Sequence, residues 1–297
     1  MAPTTKVEVT HPDRVLFPDD GITKGDLIDY YADIAGVMVP HLKSRPLTLW
    51  RYPRGIGEHG FVQQDFSGTL TDWMASAEVT KQGGTVTHPV AGRREALVWL
   101  ANQNCVTVHS WLSRYDRLDH PDQVIFDFDP STDDFGQVRA AARACADVLS
   151  DIGLSPYLKT TGSRGLHVLA PLKRGPDFDT VRQFARDVAE VVAADDPAHR
   201  TVEQRKNKRG DRIYVDVMRN AYAQTAVAPY AVRARRGAPV ATPLAWDELG
   251  ARGMRPDRFT IRDVPKRVAE QGDPWADIRK HASALTRPTQ RLAKLHA

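Results

Sequence analysis

Apolar residues recur at helical spacing along residues 23–43, where Leu27, Ile28, Tyr31, Ile34, Ala35 and Met38 form one stripe. Thr23 can cap this helix, and Asp26 stands three residues on, as in a capping box. A second helical pattern follows a capping Asp134: Val138, Ala141, Ala142, Cys145, Val148, Leu149 and Ile152, until Gly153 stops it. A third covers about 179–194, starting at Asp179 and carrying Val181, Phe184, Ala185, Val188, Val191 and Val192. Residues 46–52 (PLTLWRY) and 96–112 (with ALVWLA and CVTVHSWL) read as strands or short buried elements. The polar stretch 80–95 carries a Gly pair and reads as a protruding hairpin or loop. In the second half, a strand at 124–130, a strand–loop–strand at 157–171 and a strand at 212–218 alternate with the helices. That rhythm predicts an α/β sheet with helices packed on it. No internal repeat is present, and the last thirty residues read as a surface helix or tail.

Composition narrows the class. The chain has 297 residues, 41% hydrophobic and 26% charged, which argues against disorder. No apolar run approaches the ~20 residues of a membrane span, and the first residues lack the apolar core of a signal peptide. Cys105 and Cys145 lie far apart and outside metal-type spacing, so they read as reduced packing residues of a cytoplasmic protein. The net charge is only +4, but its placement is uneven. Arg205, Lys206, Lys208, Arg209 and Arg212 crowd one basic segment, and Arg233, Arg235 and Arg236 form another. Acids gather instead near the strand at 124–130, which suits a polyanion held beside metal ions.

That strand, VIFDFDP, carries the chemistry. Asp127 and Asp129 alternate with Val124, Phe126 and Phe128, so both acids take one face. Their Cα atoms stand roughly 6.5 Å apart, two strand rises. Acids held this close repel each other unless a cation sits between them. In RIYVDVM, Asp216 shares a face with Tyr214 and supplies a third carboxylate. Three strand-borne carboxylates can hold two divalent ions for phosphoryl or nucleotidyl transfer. Thr161, Gly162, Ser163, Arg164 and Gly165 form a small-residue turn able to cradle phosphates, with His167 on the strand leaving it. Arg209 and Arg233 can close over phosphates, and His109 can touch sugar or phosphate. Singly, each feature also has a plain structural meaning: surface acids, a β-turn, a satisfied histidine.

Together, and in this order, DFD, GSRGLHV and VDVMRN resemble the three motifs of the archaeo-eukaryotic primase superfamily. The chain is more closely similar to the polymerase domain of bacterial ATP-dependent DNA ligase D. Residues 8–265 carry that resemblance in HPDRVLFPDDGITKGDLIDYY, HLKSRPLTLWRYP, WLANQN, VIFDFDP, TGSRGLHVLAPL and VAPYAVRAR. It implies an α/β (α+β) primase-like fold, with central mixed sheets flanked by helices and an RRM-like catalytic half. Residues 1–297 would form one primase-polymerase domain, with an N-terminal lobe at about 1–115, a catalytic lobe at about 116–265 and a tail or helix at 266–297.

The resemblance also implies roles. Asp127, Asp129 and Asp216 would ligate two Mn²⁺ or Mg²⁺ ions, with NTP or dNTP as substrates. His109, Thr161, Gly162, Ser163, Arg164, His167, Arg209 and Arg233 would contact the nucleotide. Lys24 matches a ligand of the DNA 5′-phosphate; His11 and Arg14 stand where Asn and Lys are usual. Phe61 would stack on the template, its family neighbour being replaced by Val62. The segment 80–95 matches a loop used near DNA ends. The implied activity is short gap filling at broken or gapped DNA with a 5′-phosphate, favouring ribonucleotides, in non-homologous end joining. Its partners would be a DNA ligase and a Ku-like end-binding protein, in the bacterial cytoplasm at the nucleoid and away from membranes. Lacking a KxDG-type adenylation motif, the chain resembles a stand-alone polymerase, or a domain excised from a longer chain. Two readings remain beside it: a two-metal nuclease or phosphohydrolase, and a DNA-end-bridging protein with little catalysis.

Overall fold

The computed structural model describes residues 7–295; the first six and last two residues of the expected lobes and tail lie outside that range. Paired strands β1 (Val15–Phe17) and β2 (Ile22–Thr23) lead into α1 (Lys24–Asp33). The capping box forms: Asp26 N donates to Thr23 Oγ1 at 3.1 Å, and Thr23 N donates to Asp26 Oδ2 at 2.7 Å. The helix expected over 23–43 is in fact two, because α1 stops at Ile34 and α2 (Ala35–Leu42) begins there. Gly36 weakens that helical ladder and Pro40 removes a donor from it. The apolar stripe still faces one core through Leu27, Ile28, Tyr31, Ala35 and Met38.

Strands β3 (Leu47–Arg51) and β4 (Phe61–Gln63) precede a hairpin of β5 (Ser76–Lys81) and β6 (Gly84–Pro89), as the Gly pair predicts. Of the two readings open for ALVWLA, a strand or a short buried element, it takes the second and forms the helix α3 (Arg94–Asn102). Its residues Ala96–Asn102 are all buried, and a segment buried all round has no period to distinguish helix from strand. Then follow β7 (Cys105–Trp111), β8 (Gln123–Asp129), α4 (Phe135–Asp151), β9 (Tyr157–Thr160) and β10 (Leu166–Pro171). Asp134 caps α4, accepting from Gly136 N at 2.8 Å. The next helix, α5 (Phe178–Asp195), starts one residue before the expected Asp179, because Asp177 is the cap and accepts from Thr180 N. Beyond it lie β11 (Arg200–Thr201), α6 (Lys206–Arg209), β12 (Ile213–Asp216), β13 (Thr225–Val227), β14 (Pro243–Leu244), α7 (Val264–Gln271) and α8 (Thr286–Leu295).

These elements fall into two compact units. Unit 1 holds the chain up to Trp111 together with Thr225–Ala241 and Phe259–Asp273. Unit 2 holds Leu112–Gln224, Thr242–Arg258 and the chain from Pro274. A contiguous split near 115 and 265 differs from this, because β13 pairs with β7 and Val240 N bonds Phe259 O, drawing both late segments into unit 1. Unit 1 contains a sheet ordered β13–β7–β3–β4 over the core that includes Leu49, Val106, Val108 and Tyr230. Unit 2 contains a six-stranded sheet ordered β11–β12–β8–β10–β9–β14. Its pairs are antiparallel except β11 with β12, and α4 and α5 pack against it. Cys105 and Cys145 are free and buried, as their spacing predicts. Among the described residues, no helix is long and apolar enough to cross a membrane.

Candidate active site

Strand β8 runs between β10 and β12, which gives Asp127 two direct partners: His167 on one side and Asp216 on the other. Lys159 on β9 lies opposite His167 in turn. Directly paired residues share a sheet face, so Lys159, His167, Asp127 and Asp216 form one row of ionisable side chains across four strands. Asp129 is two residues along β8 on that same face, opposite Tyr214. The apolar alternates Val124, Phe126 and Phe128 are fully buried and anchor the strand.

Burial makes this row electrostatically tense. Asp129 is pushed up to about 6, by burial first and then by Asp127 and Asp216. Asp216 is also raised, chiefly by burial, although its Oδ1 accepts from Met218 N at 2.7 Å. Burial resists ionisation of Asp127 too, but His167, Arg219 and Lys159 outweigh it and hold that carboxyl below its usual range. His167 is pushed down to about 4 by burial and then by Lys159. At neutral pH the pair is therefore a carboxylate and a neutral imidazole, with His167 Nε2 3.2 Å from Asp127 Oδ2 and Nδ1 buried without a partner among the described residues.

Backbone chemistry positions the acids. Asn220 donates from Nδ2 to Ile125 O at 2.7 Å and accepts at Oδ1 from Ile125 N at 2.9 Å, which clamps the chain beyond β12 onto β8. The turn from Thr161 to Gly165 closes on itself: Gly165 N donates to Thr161 Oγ1 at 3.2 Å, and that hydroxyl donates to Gly165 O at 3.0 Å. Gly162 takes a left-handed φ of +63°. A side chain at Gly165 would meet Phe128 O at 2.3 Å, so only glycine lets this turn lie against the end of β8. Ser163 is half-buried and Arg164 exposed. Arg209 is tied to Glu203 O at 2.8 Å and Gln204 O at 2.6 Å, and its guanidinium stacks 3.8 Å from the centre of the Tyr214 ring.

Unit 2 thus brings together Asp127, Asp129, Asp216, His167, Arg209 and the 161–165 turn. Lys159 and Arg219 join them, although sequence reasoning missed both. The available signal was a lysine in the strand leading into the Gly-rich turn. The other expected residues belong to unit 1. His109 is half-buried on β7 between Thr48 and Val227. Arg233 bonds Pro239 O through its backbone and lies near Tyr52. Lys24 is almost fully buried, its ammonium donating to Thr10 O and, at 3.0 Å, to Thr10 Oγ1. Burial and the neighbouring Arg14 lower its pKa. His11 is exposed with a φ of +49°, and Arg14 Nη1 donates to Pro53 O at 3.0 Å. Phe61 is exposed on β4.

Among the described residues, no group of three His, Cys, Asp or Glu side chains is already gathered to hold a metal ion. Asp127 is turned to His167 and Asp216 to the Met218 N–H. The donor chemistry nevertheless fits a hard divalent cation, since carboxylate oxygens suit Mg²⁺ and Mn²⁺. The suppressed ionisation of Asp129 is the deficit that such a cation cancels.

The chain is of the primase-polymerase class, and its acids lie on neighbouring antiparallel strands with a glycine turn against their ends. The family model described as "LigD, primase-polymerase domain" matches residues 23–275, and the chain belongs to that family. It is 34% identical over 276 residues to the multifunctional non-homologous end joining protein LigD of Mycolicibacterium smegmatis, covering 92% of this chain and 36% of that one. It is 30% identical over 275 residues to the bifunctional LigD of Bacillus subtilis, covering 92% and 44% respectively. The chain therefore spans less than half the length of these relatives. The solved polymerase domain of Mycobacterium tuberculosis ligase D, in complex with DNA, superposes with a TM-score of 0.88 at 31% identity, covering 93% of this chain and 99% of that one. The mixed α/β primase-like fold expected from the motifs is the fold of that domain.

Proposed function

We propose that this protein is a template-dependent, divalent-metal-dependent nucleotidyltransferase that fills short gaps at broken or gapped DNA bearing a 5′-phosphate. The observation that carries this reading is the register that sets Asp127 directly opposite both His167 and Asp216, with Asp129 on the same face. Asp127, Asp129 and Asp216 would hold two Mg²⁺ or Mn²⁺ ions, which when bound acidify a primer 3′-hydroxyl and neutralise triphosphate charge. His167 orients Asp127 and keeps it ionised. The turn of Thr161, Gly162, Ser163, Arg164 and Gly165, together with Arg209, binds the phosphates of an NTP or dNTP, with His109 and Arg233 as further nucleotide contacts. Lys24, Arg14 and His11 bind the downstream 5′-phosphate, and Phe61 stacks on a template base.

The names of the relatives support a place in non-homologous end joining; its partners there would be a DNA ligase and a Ku-like end-binding protein, in the cytoplasm at the nucleoid. The test is a labelled primer in a gapped duplex with Mg²⁺ or Mn²⁺ and either rNTP or dNTP, with and without the 5′-phosphate. Template-directed extension that is lost in Asp127→Ala supports the proposal. A primer left unextended under every metal and nucleotide overturns it, and a shortened primer favours a two-metal nuclease.

A further inference from the structure

Trp50 and Val62 face each other directly across β3 and β4, and both are exposed, at 37% and 44%. Strand alternation puts them on the sheet face opposite Arg51 and Phe61, so Trp50 and Phe61 cannot form one platform. Phe61 already has company: the Arg51 guanidinium lies 5.6 Å from its ring centre, held there by Gln103 O and Gln63 Oε1. The Trp50 indole has no ring contact or hydrogen bond among the described residues. Its other strand partner is Thr107, and His109 lies on the same face, opposite Thr48. Leaving an indole and a valine side by side in water forfeits the burial that either would gain. Trp50 stands on β3 beside the sheet's edge strand β4, so with Val62 it forms a small apolar platform open to solvent.

Charge identifies what covers it. Three residues beyond Trp50, the carbonyl of Pro53 is gripped by Arg14, and the next residue, Arg54, is exposed. Three residues of extended chain span at most about 11 Å. A free aromatic face and a cation at that separation match single-stranded nucleic acid, which offers base faces for stacking and phosphates for charge along one strand. We infer that Trp50, buttressed by Val62, stacks on an unpaired nucleobase of a DNA strand whose phosphate is drawn by the exposed Arg54, Arg14 keeping its place at the downstream 5′-phosphate. The inference rests on the proposed function only in taking nucleic acid as the ligand.

The test uses the full chain and a gapped duplex with 2-aminopurine as the unpaired base, without metal or nucleotide. Wild type should quench the probe on binding. Trp50→Ala should lose most of that quenching and bind about tenfold more weakly, from the ~1–3 kcal/mol of a base–aromatic stack. Trp50→Phe should restore most of both. Arg54→Ala should keep the quenching but lower the salt dependence of binding by about one phosphate contact. Trp50→Ala that quenches and binds like wild type overturns the inference, as does wild type that leaves the probe unquenched. Trp50-dependent quenching in a protein that never extends primers would leave this inference standing and remove the polymerase reading. Extension by wild type together with an unaltered Trp50→Ala would do the reverse.

Discussion

His167 Nε2 lies 3.2 Å from Asp127 Oδ2 across the β8–β10 pair, with both side chains nearly excluded from water. Each explains the state of the other. Burial and Lys159 keep the imidazole neutral, so its N–H can point at the acid, and that contact helps keep Asp127 ionised although burial opposes it. His167→Ala should therefore leave Asp127 unsupported, lowering metal affinity or activity about 10–100-fold, the usual loss when a group that orients a metal ligand is removed. Titrating Mn²⁺ against the variant by calorimetry, alongside gap filling, checks this. Unchanged metal affinity would count against an orienting role.

Gly165 is irreplaceable for a reason independent of catalysis. Alanine there puts a methyl 2.3 Å from Phe128 O, and the obstacle is backbone, so it cannot swing away. Gly165→Ala should cost about 1–3 kcal/mol, as other overpacked sites do. It should also raise KM for the nucleotide, because the 161–165 turn must move off the end of β8. Denaturant titration and nucleotide-dependence curves measure the two effects.

Asn220 offers a subtler test. Its side-chain amide satisfies both the N–H and the carbonyl of Ile125, two residues from Asp127. Asn220→Ala leaves those buried groups without partners and should cost about 1–3 kcal/mol for each one left unsatisfied. Hydrogen exchange at the Ile125 amide should accelerate with it. Asn220→Asp should rescue poorly, since a carboxylate can accept from the N–H but cannot donate to the carbonyl.

What could be read in advance was local. Thr23 with Asp26, Asp134 before α4, and the alternation of Asp127 and Asp129 with Phe126 and Phe128 all express rules that act within a few residues. ALVWLA was ambiguous because a segment buried on every side carries no period. The return of residues 225–241 to unit 1 depends on β13 pairing with β7, more than a hundred residues earlier. The candidate site divides in the same way. Its acids and glycines stood out by residue type, but the influence of Lys159 comes only from being placed opposite His167. Likewise, Trp50 gains meaning only from its register with Val62.

The opposed shifts of Asp129 and His167 yield a prediction of sign. Asp129 is raised to about 6 from an ordinary 3.8, so between those values the folded protein holds a proton that the unfolded chain has lost. Its contribution to stability therefore falls as pH rises through that window. His167 is lowered to about 4 from 6.5, so the unfolded chain holds the extra proton and this contribution rises with pH over nearly the same range. In the metal-free wild type the two slopes oppose each other between about pH 4 and 6. Asp129→Asn removes the falling one: the variant should gain stability with pH more steeply than wild type and end about 1–2 kcal/mol more stable at pH 7, after discounting for its partial exposure. His167→Asn should tilt the curve the other way. Adding Mn²⁺ at pH 7 should raise the Tm of wild type, where the cation relieves the repulsion around Asp129, and raise that of Asp129→Asn much less. Thermal melts across pH 4 to 7, with and without Mn²⁺, decide it. If Asn at 129 destabilised the metal-free protein at neutral pH, the carboxylate there would not be under the strain that makes it a cation ligand.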